Sequence, residues 1–405
     1  MALLRALRHR TFALLWSGQT VSRFGDHLYQ IALAWWVLQK TGSAAAMSAV
    51  LIFTFAPMLV FLLIGGLAVD RLPHVPVMLI SDLLRGAVTL VVALLAYADR
   101  LEIGHIYALS LLFGFVDAFF NPAYTAAVPE LTPVEALPSA NSLTSLSAQL
   151  GRIAGPAIGA VIIGAGGTST AFLINGLSFF VSAAFLIPIL RVSPRIRPAA
   201  NEPTLNLFHD LRDGFKTVLA SPWLWITIAV SALVNVTLSG PYSVALPFLV
   251  KQNWQADVNT LGLLYAAFPI GYAVASVWLG RLPRLRRRGL MAYVGGLVAG
   301  LGMLIIGLPL PLPLILLAAT FNGAGLEAFS LVWTNTLQEL VPSEKLGRVS
   351  SIDSLGSFAL LPIGYGLTGW AVEQFGAAAV CVLGGAITIG LSLLSLLHPK
   401  IRGLD

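Results

Sequence analysis

The sequence is short of charge and almost free of cysteine. Only 10% of its 405 residues are Asp, Glu, Lys or Arg, whereas a soluble domain carries about 25%. So few charges cannot cover a water-facing surface, which argues against a soluble enzyme, a disordered protein and a nucleic-acid-binding protein. The single cysteine, Cys381, cannot form an internal disulfide, and we interpret it as a small packing residue in an apolar helix.

The motifs of ATP-driven and catalytic proteins are also missing. The sequence has no glycine-rich phosphate loop that ends in Gly-Lys-Ser or Gly-Lys-Thr, which argues against ATP as the energy source. It also has no cluster of Cys and His, no nucleophile elbow and no dinucleotide-binding glycine loop. These absences predict a protein that is not an enzyme and that binds no cofactor and no metal.

Long apolar runs are what the sequence does contain. Hydrophobic residues make up 57% of the chain, and a helix needs about 20 of them in a row to cross the core of a bilayer. Such runs recur from one end to the other, so we predict an all-α membrane protein with twelve transmembrane helices. The predicted spans lie near residues 11–37, 44–69, 76–98, 105–128, 139–165, 169–190, 222–250, 260–281, 290–308, 312–336, 350–372 and 377–397.

The basic residues predict the orientation of these spans. If there are twelve spans, nearly all Lys and Arg fall on one side of the membrane, and the other side receives only Lys40, Arg100 and Lys251. Cytoplasmic loops carry the excess of Lys and Arg. We therefore expect a multi-pass protein of the cell inner membrane with both termini in the cytoplasm.

An internal repeat predicts two related halves. Seven residues recur 209 positions later: Gly114, Glu130, Leu131, Pro133, Glu135, Leu137 and Gly155 match Gly323, Glu339, Leu340, Pro342, Glu344, Leu346 and Gly364. We predict two pseudo-symmetric six-helix bundles, residues 1–190 and 222–405, joined by a cytoplasmic linker at 191–221 with a short amphipathic helix around Phe208–Leu219. Repeats of this parallel kind favour a substrate site near the midplane between the halves and alternating access by rocking.

Three segments resemble the major facilitator superfamily. They are Ser-Arg-Phe-Gly-Asp at 22–26, Gly-Leu-Ala-Val-Asp-Arg at 66–71, and Gly-x-x-x-Gly-Pro-x-x-Gly at 151–159. Within the superfamily, the chain resembles bacterial drug:proton antiporters of the macrolide-efflux and siderophore-exporter type, over nearly its full length. The resemblance implies the two-bundle fold, and it implies that Gly155 and Pro156 shape the seal between the halves.

The loop after span 2 is a further candidate for the gate. Asp70 and Arg71 are similar to the acid and base of the superfamily's loop motif, and Asp82 and Arg85 are nearby candidates for pairing with them. Such pairs could hold the gate in one state and break in the other. The residues that follow Arg71 depart from the usual pattern, so we expect a latch that is weaker or built differently.

Ionisable residues within the spans are the candidates for energy coupling, because charge at mid-membrane depth is costly and usually functional. We predict Asp26, Asp117 and Glu327 as proton acceptors, with Arg23 and Arg152 as counter-ions. The sequence leaves open which acid pairs with which arginine. A carboxyl group holds its proton more firmly when buried and less firmly beside an arginine, so a motion that changes the pairing would switch proton affinity. Sodium coupling also stays open, since carboxylates suit hard cations.

Aromatic residues within the spans predict the nature of the cargo. We select Trp35, Phe115, Phe119, Tyr265 and Trp333 as substrate-binding residues, because large apolar walls with few polar anchors suit bulky amphiphiles. The expected protein is a monomer that contacts membrane lipids and exchanges protons for a bulky lipophilic or amphiphilic small molecule.

Other functions remain compatible with the same sequence. A siderophore or metabolite exporter would share the fold, and so would a lysophospholipid flippase, since some flippases have a similar Phe-Gly-Asp start to span 1. A membrane receptor or scaffold could also keep the fold without transport, but we would expect it to carry an added soluble domain or a long tail.

Overall fold

The computed structural model describes residues 4–69, 72–190, 207–282 and 286–405, and within these ranges every regular element is a helix. The helices are α1 (Arg10–Thr41), α2 (Ala44–Val69), α3 (His74–Tyr97), α4 (Ile103–Glu130), α5 (Leu137–Leu190), α6 (Leu207–Ala220), α7 (Pro222–Gly240), α8 (Leu246–Phe248), α9 (Val258–Leu279), α10 (Arg288–Ile306), α11 (Leu312–Leu340), α12 (Ser343–Phe358), α13 (Leu361–Phe375), α14 (Ala377–Leu397) and α15 (Pro399–Arg402), with 3-10 helices at Ala6–Arg8 and Val134–Ala136 and π-helical segments at Pro241–Ala245 and Leu249–Asn253. The prediction of an all-α protein is confirmed. Most of the predicted linker lies outside the described residues, and α6 occupies the part where an amphipathic helix is expected.

The helices are long enough to form a multi-pass membrane protein. In the described part of the chain, ten helical stretches are long and apolar enough to cross a bilayer, and some of these join neighbouring helices, as at Glu344–Phe375 with α12 and α13. Helix α1 is not among these ten, and its many polar residues are the reason. Helix α5 counts once, although Gly167 interrupts it with φ of 76° and ψ of 172°, a backbone geometry that glycine tolerates. Adding α1 and dividing α5 at Gly167 would give the twelve predicted spans, so that number stays a prediction.

The chain forms two compact units. The first contains residues 1–200 and 257–266, and the second contains residues 201–256 and 267–405. The predicted bundles differ from these units at α9, because its first residues belong to the first unit.

Each unit repeats the same close helix contacts at the glycines of the internal repeat. A Cβ atom on Gly114 would collide with the carbonyl oxygen of Thr54 on α2, and one on Gly323 would collide with that of Phe268 on α9. The repeat therefore preserves the places where two helix backbones touch, which only glycine permits.

The glutamates of the repeat also have matching partners. The Glu130 carboxylate at the end of α4 lies 2.6 Å from Nδ1 of His74, the first residue of α3. The Glu339 carboxylate near the end of α11 pairs with Arg288, the first residue of α10. In both units, the glutamate of the repeat thus connects the end of one long helix to the first residue of another.

The glycine contact on α4 predicts a stability difference between two alanine variants. We expect Gly114→Ala to lower the free energy of unfolding by about 1–3 kcal/mol, because the new methyl group must push α2 and α4 apart. Gly104→Ala on the same helix is the matched control, since nothing lies within 4 Å of a Cβ at that position. Thermal unfolding in detergent measures both, and equal midpoints for the two variants would contradict the close contact.

Candidate functional site

A polar cavity of about 310 Å³ lies within the first unit, among α1, α3, α4 and α5. Its walls are Gln19, Ser22, Arg23, Asp26, His27, Arg85, Asp117, Phe120, Asn121, Ala148 and Arg152. Four of the five residues predicted for proton coupling therefore line one cavity, together with an arginine that the sequence analysis assigned to gating.

The spacing of the polar residues on α1 explains why they face this cavity together. Gln19, Ser22, Arg23, Asp26 and His27 follow the i, i+3, i+4, i+7, i+8 pattern that places side chains on one face of a helix. Apolar residues occupy most of the rest of the helix. A helix with a polar face inside a membrane protein turns that face toward a cavity or a partner helix, away from lipid.

Glycines hold α1 tightly against α5. A Cβ on Gly25 of α1 would collide with the side chain of Ser178, and one on Gly155 of α5 would collide with Cβ of His27. Gly155 and its neighbour Pro156, both predicted to shape a seal, are buried in α5. The small residues of α5 therefore fix the position of the polar face of α1 at the cavity.

Arg85 is the central charge of the site. Its guanidinium group donates to Oδ1 of Asp82 over 2.8 Å and to Oδ1 of Asp117 over 3.1 Å. The same group lies 4.1 Å from the ring centre of Phe120 and 4.7 Å from that of Phe179. Two carboxylates and two aromatic faces thus stabilise one buried cation.

The two aspartates bound to Arg85 have different surroundings. The Asp82 side chain is 0% exposed, whereas that of Asp117 is 27% exposed. Asp82 also accepts a hydrogen bond from Nε2 of Gln19, which in turn donates to Oγ of Ser182. Asp82 is therefore enclosed as a fixed counter-ion, whereas Asp117 lines the cavity and is partly exposed there.

The predicted counter-ions Arg23 and Arg152 are not part of this ion-pair cluster. Both line the cavity, and the guanidinium group of Arg23 lies 4.5 Å from the ring centre of Tyr124. Among the ion pairs formed by described residues, none includes Arg23 or Arg152. The structure thus answers the pairing question for Asp117, whose partner is Arg85. The sequence analysis assigned Asp82 and Arg85 to the gate, and their spacing of three residues on one helix is the signal that could have pointed to this cluster.

Glu327 lies elsewhere, in the second unit. It is buried in α11, and its carboxylate accepts a hydrogen bond from Oγ of Ser276 on α9. The residue 209 positions after Asp117 is Leu326, so Glu327 is one residue away from the position in the repeat that corresponds to Asp117. A one-residue step turns a helical side chain by about 100°, and Glu327 is therefore not the structural copy of Asp117.

Other charged positions of the polar site also change character in the second unit. The repeat pairs Asp26 with Asn235 and Arg152 with Leu361. Asn235 uses its side-chain amide to donate to the backbone carbonyl of Ser357. The titratable groups of this cavity are thus a property of the first unit and are not demanded by the shared fold.

The remaining predicted gate residues, Asp70 and Arg71, lie outside the described residues. Their candidate partners Asp82 and Arg85 are described, and these two bind each other over 2.8 Å.

The five predicted substrate-binding aromatics are dispersed. Phe115 and Phe119 pack together with ring centres 5.2 Å apart, whereas Trp35 and Tyr265 are buried. Trp333 is also buried, and its indole N–H donates to the carboxylate of Asp353 over 3.1 Å. Among these five, only Phe115 is exposed, at 42%, and the role of all five in substrate binding stays a prediction.

Comparisons with known proteins agree with a transport function for proteins of this fold. Residues 2–405 match the family model described as "Transmembrane secretion effector". The chain is 28% identical to multidrug efflux pump Tap of Mycolicibacterium fortuitum, over 94% of each protein. It is 23% identical to macrolide efflux protein A of Streptococcus pyogenes over 97% of each, and 27% identical to enterobactin exporter EntS of Salmonella typhi over 97% of this chain and 94% of the exporter. The fold matches the crystal structure of a POT family transporter in complex with 5-aminolevulinic acid with a TM-score of 0.77, 14% identity and coverage of 97% of this chain and 96% of the other.

Proposed function

Since the chain belongs to the transmembrane secretion effector family of the major facilitator superfamily, we propose that it is a proton-coupled exporter of bulky lipophilic or amphiphilic compounds. The observation that carries the proposal is the water-accessible Asp117 carboxylate, bound to Arg85 in a polar cavity inside a membrane protein. The relatives named for multidrug and macrolide efflux support the class of cargo.

The charges at the cavity explain how proton and cargo would compete. Three arginines (Arg23, Arg85 and Arg152) and three aspartates (Asp26, Asp82 and Asp117) balance when all are ionised. A proton on Asp26 or Asp117 leaves one unbalanced positive charge, and a bound cationic amphiphile does the same. Holding both would place two unbalanced charges in a site of low dielectric, which is costly. The site therefore favours binding one or the other, and that preference is the basis of antiport.

Alternating access completes the cycle. In our proposal, the two six-helix halves rock about the site, and the pairing of Asp117 with Arg85 changes as they move. A carboxylate released from its arginine binds a proton more readily than one held by it. In our proposal the protein lies in the cell inner membrane with both termini in the cytoplasm. The excess of Lys and Arg on one side of the predicted spans supports this orientation.

A second candidate is export of an anionic siderophore. It is favoured by Arg23 and Arg152, which line the cavity without an ion pair among the described residues and could bind an anionic cargo. The relative named as an enterobactin exporter supports it as well.

Proteoliposomes with a pH-sensitive dye inside distinguish these functions. We expect proton flux when ethidium or a macrolide is added to purified protein under a pH gradient, and none with empty liposomes. Flux only with a catecholate siderophore would favour the second candidate, and flux only with a lysophospholipid would favour a flippase. Compound uptake that is driven by a sodium gradient and is unaffected by the pH gradient would refute proton coupling.

A further inference from the structure

Tyr124 of α4 holds the guanidinium group of Arg23, which lies 4.5 Å from the centre of the tyrosine ring. An aromatic ring carries negative charge on its face and attracts a cation that lies over it. Tyr124 is buried, whereas Arg23 lines the polar cavity of the first unit. The ring thus keeps the charge of a cavity arginine in place without a carboxylate partner.

One face of α4 provides this ring and its neighbour. Asp117, Phe120 and Tyr124 follow the i, i+3, i+7 spacing of a single helix face. The rings of Phe120 and Tyr124 are parallel within 1°, and their centres are 6.3 Å apart. Phe120 lies against the guanidinium group of Arg85, as Tyr124 lies against that of Arg23. Two neighbouring rings of one helix therefore position two arginines of the cavity.

Asp26 lies one turn after Arg23 on α1 and lines the same cavity. An acid and an arginine at this helical spacing are neighbours and attract each other. Within the described ranges, however, the Asp26 carboxyl group makes no hydrogen bond and no ion pair, with Arg23 or with another residue. An ionised carboxylate in a site of low dielectric would draw the arginine away from the ring. The arrangement is therefore the one expected when Asp26 carries a proton.

The charges around Asp26 single out Arg23 as its partner. The titratable and charged groups that act on Asp26 or line the cavity with it are Arg23, His27 and Tyr29 of α1, Asp82 and Arg85 of α3, Asp117 of α4 and Arg152 of α5. Arg85 is already bound to two aspartates, and Arg152 is exposed, so that solvent screens its charge. Arg23 is the arginine of this group that can reach Asp26 without breaking another ion pair.

The internal repeat indicates that Arg23 and Asp26 act as a pair. The residues 209 positions after Tyr124, Arg23 and Asp26 are Trp333, Ala232 and Asn235. Both units therefore keep an aromatic ring at the first of these positions, as the shared packing requires. The arginine and the acid are present together in the first unit and absent together from the second.

We propose that Arg23 alternates between two partners, the ring of Tyr124 and the carboxylate of Asp26, and that Tyr124 is the positioning residue that sets how firmly Asp26 holds its proton. This inference rests on the proposed proton coupling. While Asp26 is protonated, Arg23 lies on the ring, as in this structure. When the proton passes to solvent, the carboxylate attracts Arg23 across one turn of α1, and the ion pair stabilises the ionised acid. Tyr124 acts through Arg23 and binds neither the proton nor the cargo.

A pH titration of the purified full-length protein in detergent tests this exchange of partners without cargo or transport. Infrared absorption of protonated carboxyl groups follows the acids, and the band that is missing from Asp26→Asn reports Asp26. We expect Tyr124→Leu to move the midpoint of this band to lower pH by about half a unit or more, because Arg23 then has only the carboxylate as a partner. Tyr124→Phe keeps the ring face and should stay within about 0.2 pH unit of the unmodified protein.

The Arg23→Gln background shows whether the ring acts through the arginine. There, Tyr124→Leu should leave the midpoint unchanged, since the ring has no cation to hold. A trifluorinated phenylalanine in place of Tyr124 covers the case in which the leucine variant does not fold. It keeps the shape of the ring and removes most of the negative charge from its face, so it should also move the midpoint to lower pH.

Two results would overturn the proposal. One is an unchanged midpoint with the fluorinated ring, and the other is an equal shift by Tyr124→Leu with and without Arg23. The outcome is separable from that of the proposed function. A shift that depends on Arg23, together with no proton flux for any cargo in proteoliposomes, would support the exchange of partners and refute its coupling to export. Cargo-driven proton flux with no shift would leave the exporter in place and refute the exchange.

Discussion

Asp117→Asn is expected to abolish export driven by a pH gradient while substrate exchange without a gradient continues. Asparagine keeps the size and one oxygen acceptor for Arg85, whose guanidinium group lies 3.1 Å from Asp117, but it cannot take up a proton. The variant should therefore fold and still bind cargo, although a cationic cargo more weakly because asparagine leaves one positive charge unbalanced, and it should lose the competition between proton and cargo at this residue. Initial rates in proteoliposomes, with and without an imposed gradient, measure the difference.

The control for this variant is Asp353→Asn. Asp353 is also an aspartate in a membrane helix, but it belongs to the second unit and accepts a hydrogen bond from Trp333, which asparagine can still accept. We expect it to retain gradient-driven export. We also expect losses of coupling in Asp26→Asn and Glu327→Gln. Normal gradient-driven export by all three variants at Asp26, Asp117 and Glu327 would show that the proton acceptors are assigned wrongly.

Arg85→Gln is expected to cause the largest loss of stability. Removing the guanidinium group leaves the Asp82 carboxylate, which is 0% exposed, without its positive partner. Breaking a buried ion pair in this way typically costs about 3–5 kcal/mol, because an uncompensated charge stays buried. Thermal unfolding in detergent and the yield of monodisperse protein measure the effect.

Two further variants separate charge from packing at this position. In Asp82→Asn combined with Arg85→Gln, no unpaired carboxylate remains at Asp82, so we expect the double variant to recover part of the lost stability. Arg23→Gln removes an arginine from the same cavity that has no ion pair among the described residues, and its cost should be much smaller. A double variant less stable than Arg85→Gln alone would indicate that Asp82 is stabilised by something other than Arg85.

The sequence alone was sufficient to predict the protein class and the positions of most helices. A helix that crosses a bilayer needs a run of apolar residues of a set length, so the run in the sequence predicts where the helix lies. The predicted spans 44–69 and 377–397 coincide with α2 and α14. The span predicted at 350–372 is interrupted in the structure, since α12 ends at Phe358 and α13 begins at Leu361. Hydropathy does not register such a break, because the four residues at the break, 358–361, are all apolar.

The polar face of α1 follows from helical spacing alone, which brings Arg23, Asp26 and His27 to one side. The partner of Asp117 does not. Arg85 lies 32 positions before Asp117, and only the packing of α3 against α4 decides that these two side chains meet. Similarly, nothing in the sequence showed that Glu327 would bind Ser276 in the other unit. Residues on one helix are placed by its period, whereas residues on different helices are placed by which faces the tertiary structure brings together.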